Sequence, residues 1–155
     1  NKGYDYALEK GIYYAIDKGA QYILTMDADG QHPIKSIKPM ISFLENNNYE
    51  LVIGVRDKLP RLSEKIFSFY TRLFFGLEDI TCGMKCYKSK LIQKYGFKGE
   101  YKSIGTYLSI KAIKNSEKYK KFFIPTIPRE NKSRFGMNVK TELIIIYALI
   151  RSINI

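Results

Sequence analysis

Residues 22–33 of the chain are YILTMDADGQHP, an apolar run that leads directly into an acidic turn. The run Tyr22–Met26 predicts a short buried strand, and Gly30 marks a turn after it. Two carboxylates, those of Asp27 and Asp29, therefore stand where a strand becomes a loop. In open α/β sheets this edge is where ligands bind, so the stretch predicts a sheet and a site together.

The acidic pair has the donor chemistry of a divalent-cation site. Because side chains alternate along an extended segment, Asp27 and Asp29 project to the same side, and Gln31 joins them if the chain stays extended. Carboxylate and amide oxygens suit Mg²⁺ or Mn²⁺, and such a metal usually accompanies a phosphorylated substrate. The ion would stabilise a diphosphate leaving group. The alternative for the two carboxylates is a solvated turn after a strand.

Helix and strand patterns alternate on both sides of this stretch. Apolar residues at helical spacing predict a helix over Tyr4–Lys18, with Gly19 as its C-cap. Pro33 predicts the start of a helix that runs to Glu45, and Glu50–Val55 predicts a second buried strand. Helices and strands joined by short links indicate an α/β domain. Further patterns predict helices over Leu62–Phe75 and Gly105–Ile113, and strands over Gly83–Tyr87 and Phe122–Ile127.

Charge is unevenly distributed along the chain. The 155 residues suffice for one domain with a core, and their net charge is +11. Residues 1–50 carry a balance of −2 and residues 51–155 a balance of +13. This asymmetry suggests a polyanionic partner: nucleic acid, an anionic membrane surface or phosphorylated substrates. The chain has too few cysteines for a disulfide framework, and its one histidine and two cysteines do not complete a zinc site.

The two ends of the chain carry predictions of their own. The first pattern is helical, whereas an α/β domain normally opens with a strand, so we expect that an N-terminal part is missing. Leu143–Ile150 is apolar but shorter than the roughly 20 residues that span a bilayer. It predicts an interfacial helix, a core helix or the start of a membrane segment. The amphipathic, basic segment Leu62–Phe75 either packs on the core or lies on a membrane surface.

Four motifs occur in order along the chain. They are NKGYDYALEKGIYYA at residues 1–15 with DADGQHP at 27–33, then GVR at 54–56, DITCGMK at 79–85, and RFGMNVK at 134–140. Together they resemble the central part of family-2 glycosyltransferases, and in particular the dolichol-phosphate mannosyltransferase-like, or polyprenyl-phosphate glycosyltransferase, group. The chain departs from that pattern at Cys82 and Met84, which replace Ser and Phe, and at Asn138, which replaces Ser.

The resemblance implies a GT-A fold, a Rossmann-like three-layer α/β domain with a mostly parallel sheet, here truncated at its N-terminus. Residues 1–140 would form this partial domain, and residues 141–155 an apolar C-terminal helix. In the family, the D-x-D-x-Q residues hold the metal and the donor diphosphate, which maps to Asp27, Asp29 and Gln31. The expected cofactor is Mg²⁺ or Mn²⁺.

The later motifs imply further site residues. The family's D-x2-S-G aspartate lies near the acceptor, so Asp79 is a candidate catalytic base, although a helix cap is an alternative. Arg56, Arg134 and Lys140 map to phosphate-binding positions, for which a surface ion pair is the alternative. A polyprenyl phosphate acceptor is already ionised and needs cations more than a base, in which case Asp79 would orient other groups.

These implications predict a metal-dependent glycosyltransferase at the cytoplasmic face of the membrane. It would move a sugar from a nucleotide-diphosphate sugar to a polyprenyl-phosphate or glycan acceptor, as in the synthesis of cell-envelope polysaccharide. Alternatives are a basic nucleic-acid-binding module, an inactive remnant, and a haloacid-dehalogenase-type phosphohydrolase. The last also uses D-x-D-G after a strand but has Thr or Val where this chain has Gln31.

Overall fold

A four-stranded sheet forms the centre of the molecule. The computed structural model describes residues 3–97, 103–127 and 139–153. The strands are β1 (Tyr22–Thr25), β2 (Leu51–Arg56), β3 (Lys85–Lys88) and β4 (Tyr119–Ile124). The helices are α1 (Tyr4–Asp17), α2 (Ile37–Asn46), α3 (Leu62–Phe75), α4 (Ser89–Tyr95), α5 (Ile104–Lys114) and α6 (Val139–Ile153), with a 3₁₀ turn at Ile34–Ser36 before α2.

The sheet is mixed, with the strand order β1-β3-β2-β4. Strand β3 pairs antiparallel with both β1 and β2, whereas β2 and β4 pair in parallel. Three of the four described strands therefore run in one direction, and β3 lies between two of them in the opposite direction. The predicted α/β fold class is confirmed, but the sheet is mixed rather than mostly parallel because β3 inserts between β1 and β2.

Helices cover both faces of the sheet and give three layers. On one face, Leu51, Ile53 and Val55 of β2 pack in a core with residues of α1, α3, α4 and α5. On the other face, Val52 of β2 packs with Met40 and Leu44 of α2. Because alternate residues of a strand point to opposite faces, a continuous apolar run such as β2 indicates a strand covered on both sides.

Several predicted elements are confirmed, and others shift. Helix α3 has the predicted bounds, and α1 ends as expected: Gly19 has φ +84°, and the N–H of Ala20 bonds the carbonyl of Ala15 at 3.0 Å. Strand β4 begins three residues earlier than predicted, because its main chain pairs with β2 from Leu51 onward. The seven-residue helix α4 was not predicted. Among the described residues, no helix combines the length and hydropathy needed to cross a membrane.

Candidate functional site

The directions of the strands bring the predicted motifs to one edge of the sheet. Strands β1 and β2 run the same way, so the loop after Thr25 and the end of β2 at Arg56 share an edge. Strand β3 runs the opposite way and begins there, which adds the segment before Lys85. Thr25 connects the end of β1 to the segment before β3, since its hydroxyl donates to the carbonyl of Gly83 at 2.9 Å.

The acidic loop of residues 27–32 is closed by bonds within itself. The main-chain N–H of Asp27 donates to Nδ1 of His32 at 3.1 Å, and the N–H of Gln31 donates to Oδ1 of Asp29 at 3.1 Å. Gly30 has φ +79°, a left-handed conformation that favours glycine. The chain therefore turns at Gly30 instead of staying extended, and the alternation that would carry Gln31 to the side of the two carboxylates does not apply.

Asp27 is the point of contact between the acidic loop and the segment before β3. Its side chain is 42% exposed. A methyl group placed on Gly83 would lie only 2.6 Å from Oδ2 of Asp27. A glycine at position 83 therefore lets the carboxylate lie against the main chain, and it joins two motifs that are far apart in sequence.

His32 lies beneath the loop and is only 5% exposed. Its Nε2 lies 3.8 Å from Sγ of Cys82, and its Nδ1 lies 4.0 Å from the Asp27 carboxylate. Burial lowers the pKa of His32; Asp27 opposes this shift, whereas the charges of Arg56 and Lys85 add to it. Burial also raises the pKa of the Cys82 thiol to about 11. The two side chains are therefore neutral at physiological pH.

Arg56 and Asp79 form a buried ion pair beside the loop. Asp79 is 1% exposed, and its two carboxylate oxygens accept bonds from Nε and Nη2 of Arg56 at 2.7 and 3.0 Å. The main-chain N–H of Arg56 and the hydroxyl of Thr81 also donate to this carboxylate. Burial opposes protonation of Arg56, but the hydrogen bonds and charge of Asp79, together with Glu64, raise its pKa further. Glu64 in turn bonds Arg61 at 2.8 Å.

This geometry bears on the role predicted for Asp79. A general base needs an oxygen directed at the proton that it removes. Here both oxygens accept hydrogen bonds from Arg56 or Thr81, and the side chain is enclosed. The arrangement suits an orienting role, in which the carboxylate fixes the plane of the Arg56 guanidinium.

Lys85 is a buried amine of the site that the sequence did not single out. It is 2% exposed, and its ammonium group donates to the carbonyl of Cys82. Burial lowers the pKa of Lys85, and the charge of Arg56 acts in the same direction, whereas Cys82, Asp79 and Asp27 oppose the shift. Its place at the end of the DITCGMK motif is visible in the sequence, but its enclosure depends on neighbours from other strands.

Two other residues were predicted for the site. Arg134 lies outside the described residues. Lys140 is exposed in the first turn of α6, a helix that packs on α3 and α5.

The donor set fits a cation that a phosphorylated ligand helps to hold. Within residues 3–97, 103–127 and 139–153, no group of three or more His, Cys, Asp or Glu side chains is placed to hold a metal by itself. Asp27 and Asp29 supply hard oxygens, and Mg²⁺ is commonly bound by one or two carboxylates with substrate phosphates and water. Asp27 and Asp29 therefore fit a divalent ion whose other ligands are substrate phosphates and water.

Comparison with known proteins gives the family. The family model for glycosyl transferase family 2 matches residues 1–104, which is more than half of the chain. The chain belongs to glycosyl transferase family 2. This membership favours the predicted glycosyltransferase over the phosphohydrolase and the nucleic-acid-binding module. A relative of this family-2 chain is an uncharacterized protein of Methanocaldococcus jannaschii, 29% identical over 97% of this chain and 68% of its own length.

Solved structures share the fold of this family-2 chain. Glucosyl-3-phosphoglycerate synthase from Mycobacterium tuberculosis, in complex with Mn²⁺, UDP and glucosyl-3-phosphoglycerate, aligns with a TM-score of 0.75 at 13% identity. The match covers 100% of this chain and 56% of that one. The same enzyme in complex with phosphoglyceric acid aligns with a TM-score of 0.73 at 13% identity, over 96% of this chain and 54% of that one. The chain thus spans about half the length of these structures, and the GT-A fold is confirmed.

Proposed function

We propose that this family-2 glycosyltransferase chain forms the diphosphate and acceptor side of an enzyme that transfers a sugar from a nucleotide-diphosphate sugar. The observation that carries the proposal is the half-exposed acidic loop at the end of β1, which lies against Gly83 and beside the largely buried guanidinium of Arg56 and the buried amine of Lys85. Such an arrangement suits a ligand that combines a divalent cation with phosphate groups.

Asp27 and Asp29 are the residues proposed to hold Mg²⁺ or Mn²⁺ together with the donor diphosphate, and Gln31 is proposed with them on its match to the D-x-D-x-Q pattern alone. When bound, the ion would neutralise charge on the diphosphate as the bond to the sugar breaks. The presence of Mn²⁺ with UDP or UDP-glucose in structures of the synthase that shares this fold supports the proposal.

We infer that the acceptor is a polyprenyl phosphate, as in the dolichol-phosphate mannosyltransferase-like group, with a glycan as the alternative. A phosphate acceptor is ionised and can attack without a base, so the Arg56–Asp79 ion pair supports an orienting role for Asp79. Arg56 would then direct a fixed positive charge towards the reacting phosphates. Arg134 and Lys140 are proposed as additional phosphate contacts.

A lipid acceptor requires a membrane surface, and helices α3 and α6 support one. These helices pack together and expose large apolar side chains. Their acids are paired within the protein: Glu64 is buried and bonded to Arg61, and Glu142 accepts a bond from the N–H of Ser63. The exposed charges among the described residues of the two helices are those of the cations Lys65, Arg72 and Lys140. The exposed apolar side chains are Leu62, Ile66, Phe69, Leu73 and Phe74 on α3, and Val139, Leu143, Tyr147, Ile150 and Ile153 on α6.

An apolar surface flanked by cations is typical of helices that lie in the interface of an anionic membrane. We therefore propose peripheral association with the inner face of the cell membrane through α3 and α6. This location would place the acceptor phosphate near the cationic site.

The transfer reaction is tested with the full-length protein, radiolabelled nucleotide-diphosphate sugars and polyprenyl phosphate. We expect one labelled sugar to become extractable into organic solvent, in a reaction that EDTA stops and Mn²⁺ or Mg²⁺ restores. Transfer only to a water-soluble glycan would replace the lipid acceptor by the alternative. The absence of any metal-dependent transfer or donor hydrolysis across the sugars would contradict the proposed activity.

The membrane surface is tested by flotation with vesicles. The wild-type protein should float with vesicles of phosphatidylcholine and phosphatidylglycerol, and less with phosphatidylcholine alone. Phe69→Ser should reduce flotation, whereas Tyr14→Ser, which removes a similarly exposed ring from α1, should not. Equal flotation of the two variants, or no dependence on anionic lipid, would contradict the assignment to α3 and α6.

A further inference from the structure

His32 is an enclosed side chain within the acidic loop, and the proposed transfer gives it no role. It is 5% exposed although it lies between Gln31 and Pro33 in a polar turn. Buried polar groups in proteins are almost always hydrogen-bonded, so the partners of the ring indicate what it does.

The bond to Asp27 fixes the form of the ring. The main-chain N–H of Asp27 lies 3.1 Å from Nδ1 of His32, and a main-chain N–H can only donate. Nδ1 must therefore offer a lone pair, and the ring hydrogen of the neutral imidazole lies on Nε2. That hydrogen faces Sγ of Cys82, 3.8 Å away. Because both ring nitrogens face protein atoms, His32 is not available as a direct metal ligand.

The same bond restricts the direction of the Asp27 side chain. It ties the main chain of Asp27 to a residue five positions later, and so closes the loop around Asp29 and Gly30. The Asp27 carboxylate then lies between the imidazole, 4.0 Å away, and the main chain of Gly83. The carboxylate has these neighbours on two sides, and 42% of the Asp27 side chain stays exposed, so it remains accessible to a cation from solvent.

We propose that His32 is a positioning residue that, through the acceptor at Nδ1, directs the Asp27 carboxylate towards a divalent cation. The inference rests on the proposed function, because it takes Asp27 as a ligand of that cation. Groups that orient metal ligands without touching the metal commonly change metal affinity by about 10- to 100-fold when they are removed.

Two amide variants distinguish a role of the hydrogen-bond acceptor at Nδ1 from a role of the whole imidazole ring. In His32→Asn, the side-chain oxygen can occupy the position of Nδ1 and accept from Asp27. In His32→Gln, the amide reaches one bond further, to the position of Nε2, and leaves the N–H of Asp27 without its acceptor. Both variants are uncharged and polar, so they differ mainly in where the acceptor stands.

The experiment titrates the full-length protein and both variants with Mn²⁺ at a fixed concentration of UDP, with a protein-free UDP titration as the reference, and follows the electron paramagnetic resonance signal of the free ion. We expect the wild type and His32→Asn to bind with similar dissociation constants, and His32→Gln to bind about 10- to 100-fold more weakly. Amide hydrogen exchange should be slow at Asp27 in the first two proteins and faster in His32→Gln.

Equal Mn²⁺ affinity in all three proteins would overturn the inference about His32 and leave the proposed metal site intact. Equal weakening in both variants would also overturn it, since the ring rather than the acceptor would then matter. No binding by the wild type would contradict the proposed metal site and this inference with it. The ¹⁵N shifts of His32 in the wild type give a test that needs no variant: a hydrogen on Nδ1 would contradict the geometry.

Discussion

Two acidic regions lie at the same edge of the sheet and differ in how their charge is compensated. The Asp27 side chain is 42% exposed, and the imidazole of His32 lies 4.0 Å from its carboxylate. Asp79 is 1% exposed and is bonded to the guanidinium of Arg56 through both carboxylate oxygens. The first carboxylate can serve a cation from solution, whereas the second already has one from the protein. The same residue type therefore serves ligand binding at one position and preorganisation at the other.

The largest expected difference between the two regions concerns stability. Asp79→Ala removes the main partner of the largely buried Arg56 guanidinium and leaves Glu64, 3.6 Å away, as its remaining acidic neighbour. Breaking a buried ion pair typically costs about 3–5 kcal/mol, and the remaining contact with Glu64 places this variant at the lower end of that range. Asp27→Ala removes a half-exposed carboxylate and should change the free energy of unfolding by less than about 1 kcal/mol. Urea denaturation of both variants measures the difference. If Asp79→Ala unfolded at the same urea concentration as the wild type, the proposed orienting role of Asp79 would lose its basis.

Two glycines give the next comparison, since each lies against one part of the site edge. A methyl group on Gly54 would lie 2.4 Å from Cδ1 of Ile124 and 2.7 Å from the carbonyl of Met84, so Gly54→Ala overpacks the core. Such overpacking usually costs about 1–3 kcal/mol. A methyl group on Gly83 meets the end of the Asp27 side chain, which can move.

Gly83→Ala should therefore change stability less and Mn²⁺ affinity more, by about 10-fold, because it displaces a proposed ligand. Thermal unfolding and Mn²⁺ titration of both variants check this. If Gly54→Ala lost Mn²⁺ affinity and Gly83→Ala did not, the proposed contact between Gly83 and a metal ligand would be contradicted.

The smallest expected effect is a pH dependence that comes from Lys85. Burial lowers the pKa of Lys85 in the folded protein below the ordinary lysine value of 10.5. Between the folded pKa and 10.5 the unfolded chain binds more protons, so this lysine makes stability rise with pH across that window. Lys85→Met removes the contribution. The stability of the wild type relative to Lys85→Met should therefore rise from pH 7 to pH 10 in urea titrations, and a flat or falling difference would contradict the assigned direction.

Much of the fold was predictable because its signals are local. The bounds of α3 follow from apolar spacing, and the end of α1 follows from Gly19. The direction of β3 was not predictable, because it depends on how the chain after α3 returns to the sheet. Helix α4 has only seven residues and follows β3 without a break, so its pattern is too short to stand out.

The site likewise has one part that could be predicted from the sequence and one part that could not. The acidic loop could be located from the sequence, since two carboxylates directly follow an apolar run. The pairing of Asp79 with Arg56 could not, because it joins residues 23 positions apart. The enclosure of His32 and Lys85 likewise arises from side chains that other strands and loops supply.

The half-exposed acidic loop is proposed to hold the metal for sugar transfer, and removing one of its charges tests this assignment. Transfer of labelled sugar by the full-length enzyme is followed against Mn²⁺ concentration for the wild type and Asp29→Asn. The variant keeps an oxygen that can accept from Gln31 but loses the negative charge. We expect Mn²⁺-dependent turnover to be abolished in Asp29→Asn, and the variant to unfold at the wild-type temperature. Turnover equal to that of the wild type, at the same Mn²⁺ requirement, would contradict it.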